Sequence, residues 1–252
     1  MTPQTQPSDP APAAPVAATT HPDAEPHSAA VSSKLNWLRA GVLGANDGLL
    51  STAGLVMGVA AATPERAAVL TAGIAGLTAG AVSMAIGEYV SVSTQRDTER
   101  ALIHKERAEL REQPEAEFDE LVGLYRRKGL SDETAHQVAT ELHAHDALAA
   151  HLDAELGIDA EELTNPLHAA ISSAIAFALG ALIPLLAVLA PQGWRVPLIG
   201  LLTVVGLVLA GWVSARLGGA RAGKAVLRLL VGGIAAMGVT YLIGTLLGTH
   251  VT

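Results

Sequence analysis

The sequence predicts an all-α membrane protein, with five transmembrane helices and a cytosolic three-helix domain inserted between spans two and three. Three observations predict it. Half of the 252 residues are apolar and only 16% are charged, against about a quarter in an ordinary soluble domain. The charge is segregated: residues 96–165 hold 18 of the 24 acids and 8 of the 16 bases, and no acid follows Asn165. Five apolar stretches, near 38–62, 67–92, 167–190, 196–216 and 224–248, are each long enough to cross a bilayer, which takes about 20 residues.

The chain divides into residues 1–33, 34–95, 96–165 and 166–252. Residues 1–33 are rich in Pro, Ala and Thr without periodicity, which predicts a disordered tail. They lack a basic segment followed by an apolar core, so they do not read as a signal peptide. Spans one and two are joined by Thr63-Pro64-Glu65-Arg66, and spans three and four by Ala190-Pro191-Gln192-Gly193-Trp194-Arg195. Spans four and five are joined around Gly218-Gly219. Small residues recur at helical spacing, as at Gly73, Gly76 and Gly80 or Gly232 and Ala236. Such faces let membrane helices approach closely. Lys34, Arg39, Arg216, Arg221, Lys224 and Arg228 fall on one side of the bilayer, and Arg66 and Arg195 on the other. The positive-inside rule therefore places the N-terminus and the middle domain in the cytosol, with the C-terminus outside.

In the middle domain, the first helix continues from span two to about Glu112. Pro114 interrupts and opens a second helix, with Glu115 and Glu117 in its first turn. Arg126, Arg127 and Lys128, followed by Gly129, end it. Ser131 caps a third helix, whose apolar stripe is predicted at Val138, Leu142, Ala149, Leu152 and Leu156.

A net charge of −8 gives no footprint for nucleic acid, and the absence of cysteine excludes thiolate sites and nucleophiles. No nucleotide-binding loop or hydrolase elbow occurs, so neither an enzyme nor an ATP-driven pump is predicted. The acids are patterned. Glu106 and Glu109 stand three apart, as do Glu117 and Glu120, and His151 and Glu155 stand four apart. Residues so spaced share a helix face. Two carboxylate pairs on helices joined by a short Pro turn can converge on a divalent cation; the alternative is a solvated acidic surface. Asp47 lies inside span one, where a charge costs about 2.5–3.5 kcal/mol, so its default reading is functional. Glu88 and Met84 lie one turn apart in span two. Because the spans are antiparallel, Asp47 and Met84 reach the same depth, and a carboxylate beside a thioether suits a transition metal. Snorkelling of Glu88 and plain packing of Met84 are the alternatives.

Gly44-Ala-Asn-Asp-Gly-Leu-Leu-Ser51, and Ser83-Met-Ala-Ile-Gly-Glu-Tyr89 with its continuation to Asp97, resemble the hallmark segments of the vacuolar iron transporter family. Asn165-Pro166 followed by the Ala169–Pro184 segment resembles the family's third span. The resemblance runs from about Leu35 to the C-terminus. It implies a five-span homodimer that exchanges cytosolic Fe(II), and often Mn(II), for protons, with no tightly bound cofactor. It implies an ion path lined by Asp47 and Met84, with Glu88 nearby, and a cytosolic metal-binding domain using Glu106, Glu109, Glu117, Glu120 and Glu155. Where plant members carry adjacent methionines before the last of these glutamates, this chain has His151 and Leu152. A bacterial member of the family would sit in the cell membrane.

Two other readings compete. A membrane-anchored ferritin-like oxidase needs two Glu-x-x-His motifs, and Glu133-Thr-Ala-His136 supplies one. A non-transporting metal sensor needs only the acidic domain.

Overall fold

The computed structural model describes residues 29–160, 163–219 and 221–251. Among the described residues seven α-helices run in chain order: α1 Ala29–Ala62, α2 Arg66–Glu112, α3 Pro114–Arg127, α4 Asp132–His151, α5 Pro166–Ala187, α6 Gln192–Leu217 and α7 Ala222–Val251. A π-turn, Leu152–Leu156, follows α4. The described residues contain no strand. Most of the expected tail, residues 1–28, lies outside the described residues, but α1 begins at Ala29, inside the stretch expected to be disordered.

Among the described residues five helices are long and apolar enough to cross a membrane: α1 from Ala40, α2 by its apolar N-terminal part, α5, α6, and α7 to Gly248. Many of their large side chains face outward. Leu179, Leu209 and Leu242 are more than half exposed, which a water-facing surface would not sustain.

Helix α1 is central and packs on α2, α5, α6 and α7. Glycines set these approaches. A Cβ on Gly48 would collide with the carbonyl of Phe177, and one on Gly80 with the Phe177 ring. Phe177 is therefore the pin at which α1, α2 and α5 meet, and it is 2% exposed. The small-residue face on α2 behaves as expected: Gly73 lies against Leu185 and Val56, and Gly76 against Leu55. The pair on α7 does not. Gly232 has open space beside it, and the close approach is made one residue on, where Gly233 meets Leu207 and Leu50. One residue turns a helix by about 100°, so Gly232 faces away from the bundle.

One end of the bundle gathers Gly41, His168 and Leu217 around a single apolar groove. At the other end two arginines tie the connections together. Arg195 Nη1 donates to the Pro64 carbonyl at 3.0 Å, and Arg66 Nη2 donates to the Ala190 carbonyl at 3.3 Å.

The three-helix layout follows the sequence closely. Helix α2 ends at Glu112, Pro114 opens α3, Gly129 takes φ 101° after it, and Ser131 Oγ accepts from Thr134 N–H. The stripe on α4 differs. Ala135, Ala139, Ala150, His151 and Leu152 are buried, whereas Leu142 and Ala149 are exposed. The helix is broken at Asp146, whose backbone is extended (φ −156°, ψ 101°) and whose Oδ1 accepts from Ala149 N–H at 2.9 Å. It acts as an internal N-cap and starts a new helical segment.

Candidate metal centre

Three helical segments each contribute one side chain to a buried cluster. Glu106 comes from the part of α2 that lies beyond the span, Glu117 from the first turn of α3, and His151 from the last turn of α4. Leu121, Ala139 and Ala150 form the apolar core beside it. Asp146 begins the short helical segment on which Ala150, His151 and Leu152 are buried.

His151 is fully buried and Glu106 is 4% exposed. His151 Nδ1 lies 3.0 Å from Glu106 Oε1 and 3.8 Å from Glu117 Oε2. One ligand atom from each of the three residues lies within 4.8 Å of the others. The 3.0 Å approach is off the line that a hydrogen bond requires. Glu106 Oε1 and both ring nitrogens of His151 have no hydrogen-bond partner. Buried polar atoms are nearly always paired, and an orphan costs about 1–3 kcal/mol. Glu106 Oε1 and one ring nitrogen of His151 can share a cation with a Glu117 oxygen, so that each of three helices supplies one donor.

The electrostatics point the same way. Burial, then repulsion from Glu155, Glu117, Glu109 and Glu120, pushes the Glu106 carboxyl up to about 7. Burial and then Glu120 raise the Glu117 carboxyl. Burial and the neighbouring His143 lower the His151 imidazole. The neutral imidazole is the ligating form, and carboxylates that resist ionisation regain it when a dication arrives.

The other expected cytosolic ligands are placed differently. Glu109 is half-buried and bound to Lys105 Nζ at 2.9 Å. Glu120 and Glu155 are exposed, and they act on Glu106 through charge. In the sequence His151 stands out as the i,i+4 neighbour of Glu155 and, with Leu152, in the place where plant members carry methionines. It lies on the segment that the Asp146 break begins. Glu133 and His136, the lone ferritin-like motif, are both exposed and outside the cluster.

Within the membrane region, Leu43, Asp47, Ser51 and Leu55 form one exposed stripe along α1. Ser51 Oγ donates to the Asp47 carbonyl, and no partner for the Asp47 carboxylate is seen among the described residues. The contact of Gly76 with Leu55 fixes the register of the antiparallel pair α1 and α2. Met84 lies eight residues beyond Gly76, and Asp47 eight before Leu55. Both are thus about 12 Å along their axes from that contact, at one depth. Met84 and Glu88 are half-buried.

These features define a multi-pass membrane protein whose second span continues directly into a helical domain with a buried carboxylate–imidazole cluster. The chain belongs to the VIT family, whose model matches residues 38–245. It is 42% identical over 228 residues to a "Vacuolar iron transporter" of Acanthamoeba castellanii, covering 89% of this chain and 83% of that one. It is 40% identical over 220 residues to "Vacuolar iron transporter homolog 1" of Oryza sativa subsp. japonica (86% and 77% covered). It is 36% identical over 221 residues to "Vacuolar iron transporter homolog 1" of Arabidopsis thaliana (87% of each). These relatives are named for transport and not for catalysis, in keeping with a sequence that carries no hydrolase or nucleotide motif.

Proposed function

We propose that the protein moves a divalent transition metal, Fe(II) and with it Mn(II), out of the cytosol in exchange for protons, working as a homodimer. The observation that carries the metal reading is the buried Glu106–Glu117–His151 cluster, in which Glu106 Oε1 and the His151 ring nitrogens have no hydrogen-bond partner. Oxygen and imidazole donors suit Fe(II) and Mn(II). The names of the relatives support transport of iron.

The membrane path is read from α1. A carboxylate facing lipid is costly, so the exposed stripe through Asp47 needs a cover. A second copy placed against it would bring two Asp47 carboxylates, and the level Met84 thioethers, around one path. The middle domain lies in the cytosol, where it gathers metal through Glu106, Glu117 and His151, assisted by Glu109, Glu120 and Glu155. With no nucleotide motif, uphill movement draws on an ion gradient. Metal and proton compete for the same carboxylates, with Glu88 as the second acid available to carry the proton. An acidic outer face then favours release, and the near-neutral cytosol favours loading.

The test is purified protein in liposomes offered Fe(II), Mn(II), Co(II) or Zn(II), with and without a pH gradient and with a pH dye inside. Metal flux coupled to an opposite proton flux is expected. Flux that ignores the pH gradient and moves no protons would make the protein a passive channel. No flux with intact metal binding would leave a sensor.

A further inference from the structure

We propose that the cavity between α3 and α4 is a second divalent-cation site, from which metal is loaded into the Glu106–Glu117–His151 cluster. The proposal rests on the reading of that cluster as a metal centre. The cavity, of about 430 Å³, is lined by Pro114, Glu115, Phe118, Asp119, His136 and His143. Glu115 and Asp119 are four apart on α3, and His136 and His143 are seven apart on α4, so each pair shares a helix face. Two carboxylates and two imidazoles therefore border one space.

Phe118 sits between the two imidazoles. Both meet its ring edge to face, with centroids 5.3 Å away for His136 and 5.6 Å for His143. Aromatic packing accounts for these contacts. It does not account for His143 Nδ1, which is buried with no hydrogen-bond partner. Nor does it account for the acids at the same wall. The His143 ring also meets the His151 ring edge-on at 6.1 Å. His143 thus stands in the partition between the open cavity and the buried cluster.

The donors here are not drawn together as they are in the cluster, which is the one compact group of potential ligands among the described residues. The cavity has room for an ion that keeps several waters, each of which takes about 30 Å³. Imidazole with carboxylate suits Fe(II), Co(II) and Zn(II). Weaker, faster-exchanging binding than at the cluster is what a loading site requires.

The experiment uses the full chain in detergent with Co(II) as the probe. Bound equivalents are counted by equilibrium dialysis, and arrival is followed by stopped-flow absorbance. Wild-type protein is compared with Glu106→Gln/Glu117→Gln and with His136→Gln/His143→Gln. The expected result is two classes of Co(II). The histidine variant loses the weaker class, by about ten-fold or more in affinity, and fills the tight class more slowly. The glutamate variant loses the tight class and keeps the weaker one. His136→Gln alone, at an exposed position, weakens the second class without touching the core. An unchanged number and rate in the histidine variants would overturn the loading site, as would loss of all binding in the glutamate variant. A tight class that survives the glutamate substitutions would instead overturn the reading of the cluster, while the weaker class still reported on the cavity.

Discussion

Asp47 stands exposed on the outward stripe of α1, without a partner for its carboxylate among the described residues, whereas Glu106 is buried on α2 between Glu117 and His151. Both are carboxylates held away from bulk water, and their surroundings differ in completeness. The Glu106 cluster draws its ligands from three helices of one chain, so a single copy can close around an ion. The membrane acid has one wall only. The difference teaches where each site's strength comes from. A site closed within one chain can hold metal tightly and wait. In the homodimer proposed above, an acid completed by a second copy presents a site that opens and closes with the interface, which suits release. Helix α2 joins the two as one rod, and from Met84 to Glu106 is 22 residues, about 33 Å. That separation is several Debye lengths at physiological salt, so an ion must travel between the sites and cannot be shared by them.

The largest effect expected is on the incomplete site. Asp47→Asn keeps the shape and removes the charge that offsets a dication in low dielectric. Flux in liposomes should fall at least about 100-fold, equivalent to about 2.7 kcal/mol on the barrier. Metal binding at the Glu106–Glu117–His151 cluster should be unchanged. Wild-type flux from a folded Asp47→Asn protein would remove Asp47 from the path.

The complete site should respond in binding first. Glu106→Gln leaves a neutral amide where the ion needs charge, and affinity for Co(II) or Mn(II) should drop about 10- to 100-fold. Flux should fall at limiting metal and recover when metal is in excess. Flux that stays low at saturation would mean that the Glu106–Glu117–His151 cluster belongs to the transport path itself and not to capture.

A third test uses pH. The folded Glu106 carboxyl is held at about 7, so below that value it carries a proton that metal must displace, and well above it there is none to displace. His151 is shifted the other way by burial and by His143, toward the neutral form that ligates. Calorimetry in buffers of different ionisation enthalpy should therefore show close to one proton released per metal near pH 6, declining toward zero by about pH 8. The Glu117 carboxyl, also raised, adds to this release. Affinity should fall as pH drops through 7. Release that does not vary with pH would place the titration elsewhere.

Much of this architecture was legible from residue chemistry that is local. The spans follow from uninterrupted apolar length, the three-helix layout from Pro114, Gly129 and Ser131, and the level of Asp47 and Met84 from antiparallel counting. The family segments around Asp47 and Met84 were equally plain. What was not legible is which face of α4 packs inward. Leu142 and Ala149 of the expected stripe are exposed, while Ala135 and Ala139 before the break at Asp146, and Ala150, His151 and Leu152 after it, are buried. Periodicity cannot register such a break, because Asp also stands unremarked on exposed helix faces. The choice of Gly233 over Gly232 as the contact on α7 was hidden for a related reason: either glycine completes a small-residue face, and only the neighbouring helix decides between them.

The smallest effect expected separates ligands from their surroundings. Resemblance to the family makes Glu155 a ligand, yet here it is exposed and reaches Glu106 through charge, as the strongest of its repulsive neighbours. If it only repels, Glu155→Gln relieves that repulsion. The Glu106 carboxyl then ionises more easily, and the pH at which metal binding releases its proton moves down. Affinity should change by less than about three-fold, because the lost attraction for the ion is screened at an exposed position. Glu106 behaves oppositely, since its loss removes the ligand and the released proton together. Calorimetry on Glu155→Gln alongside Glu106→Gln reads both quantities. A loss in Glu155→Gln as large as that in Glu106→Gln would mean that the π-turn Leu152–Leu156 folds inward when metal binds. The cluster of three would then be the unfilled form of a larger site.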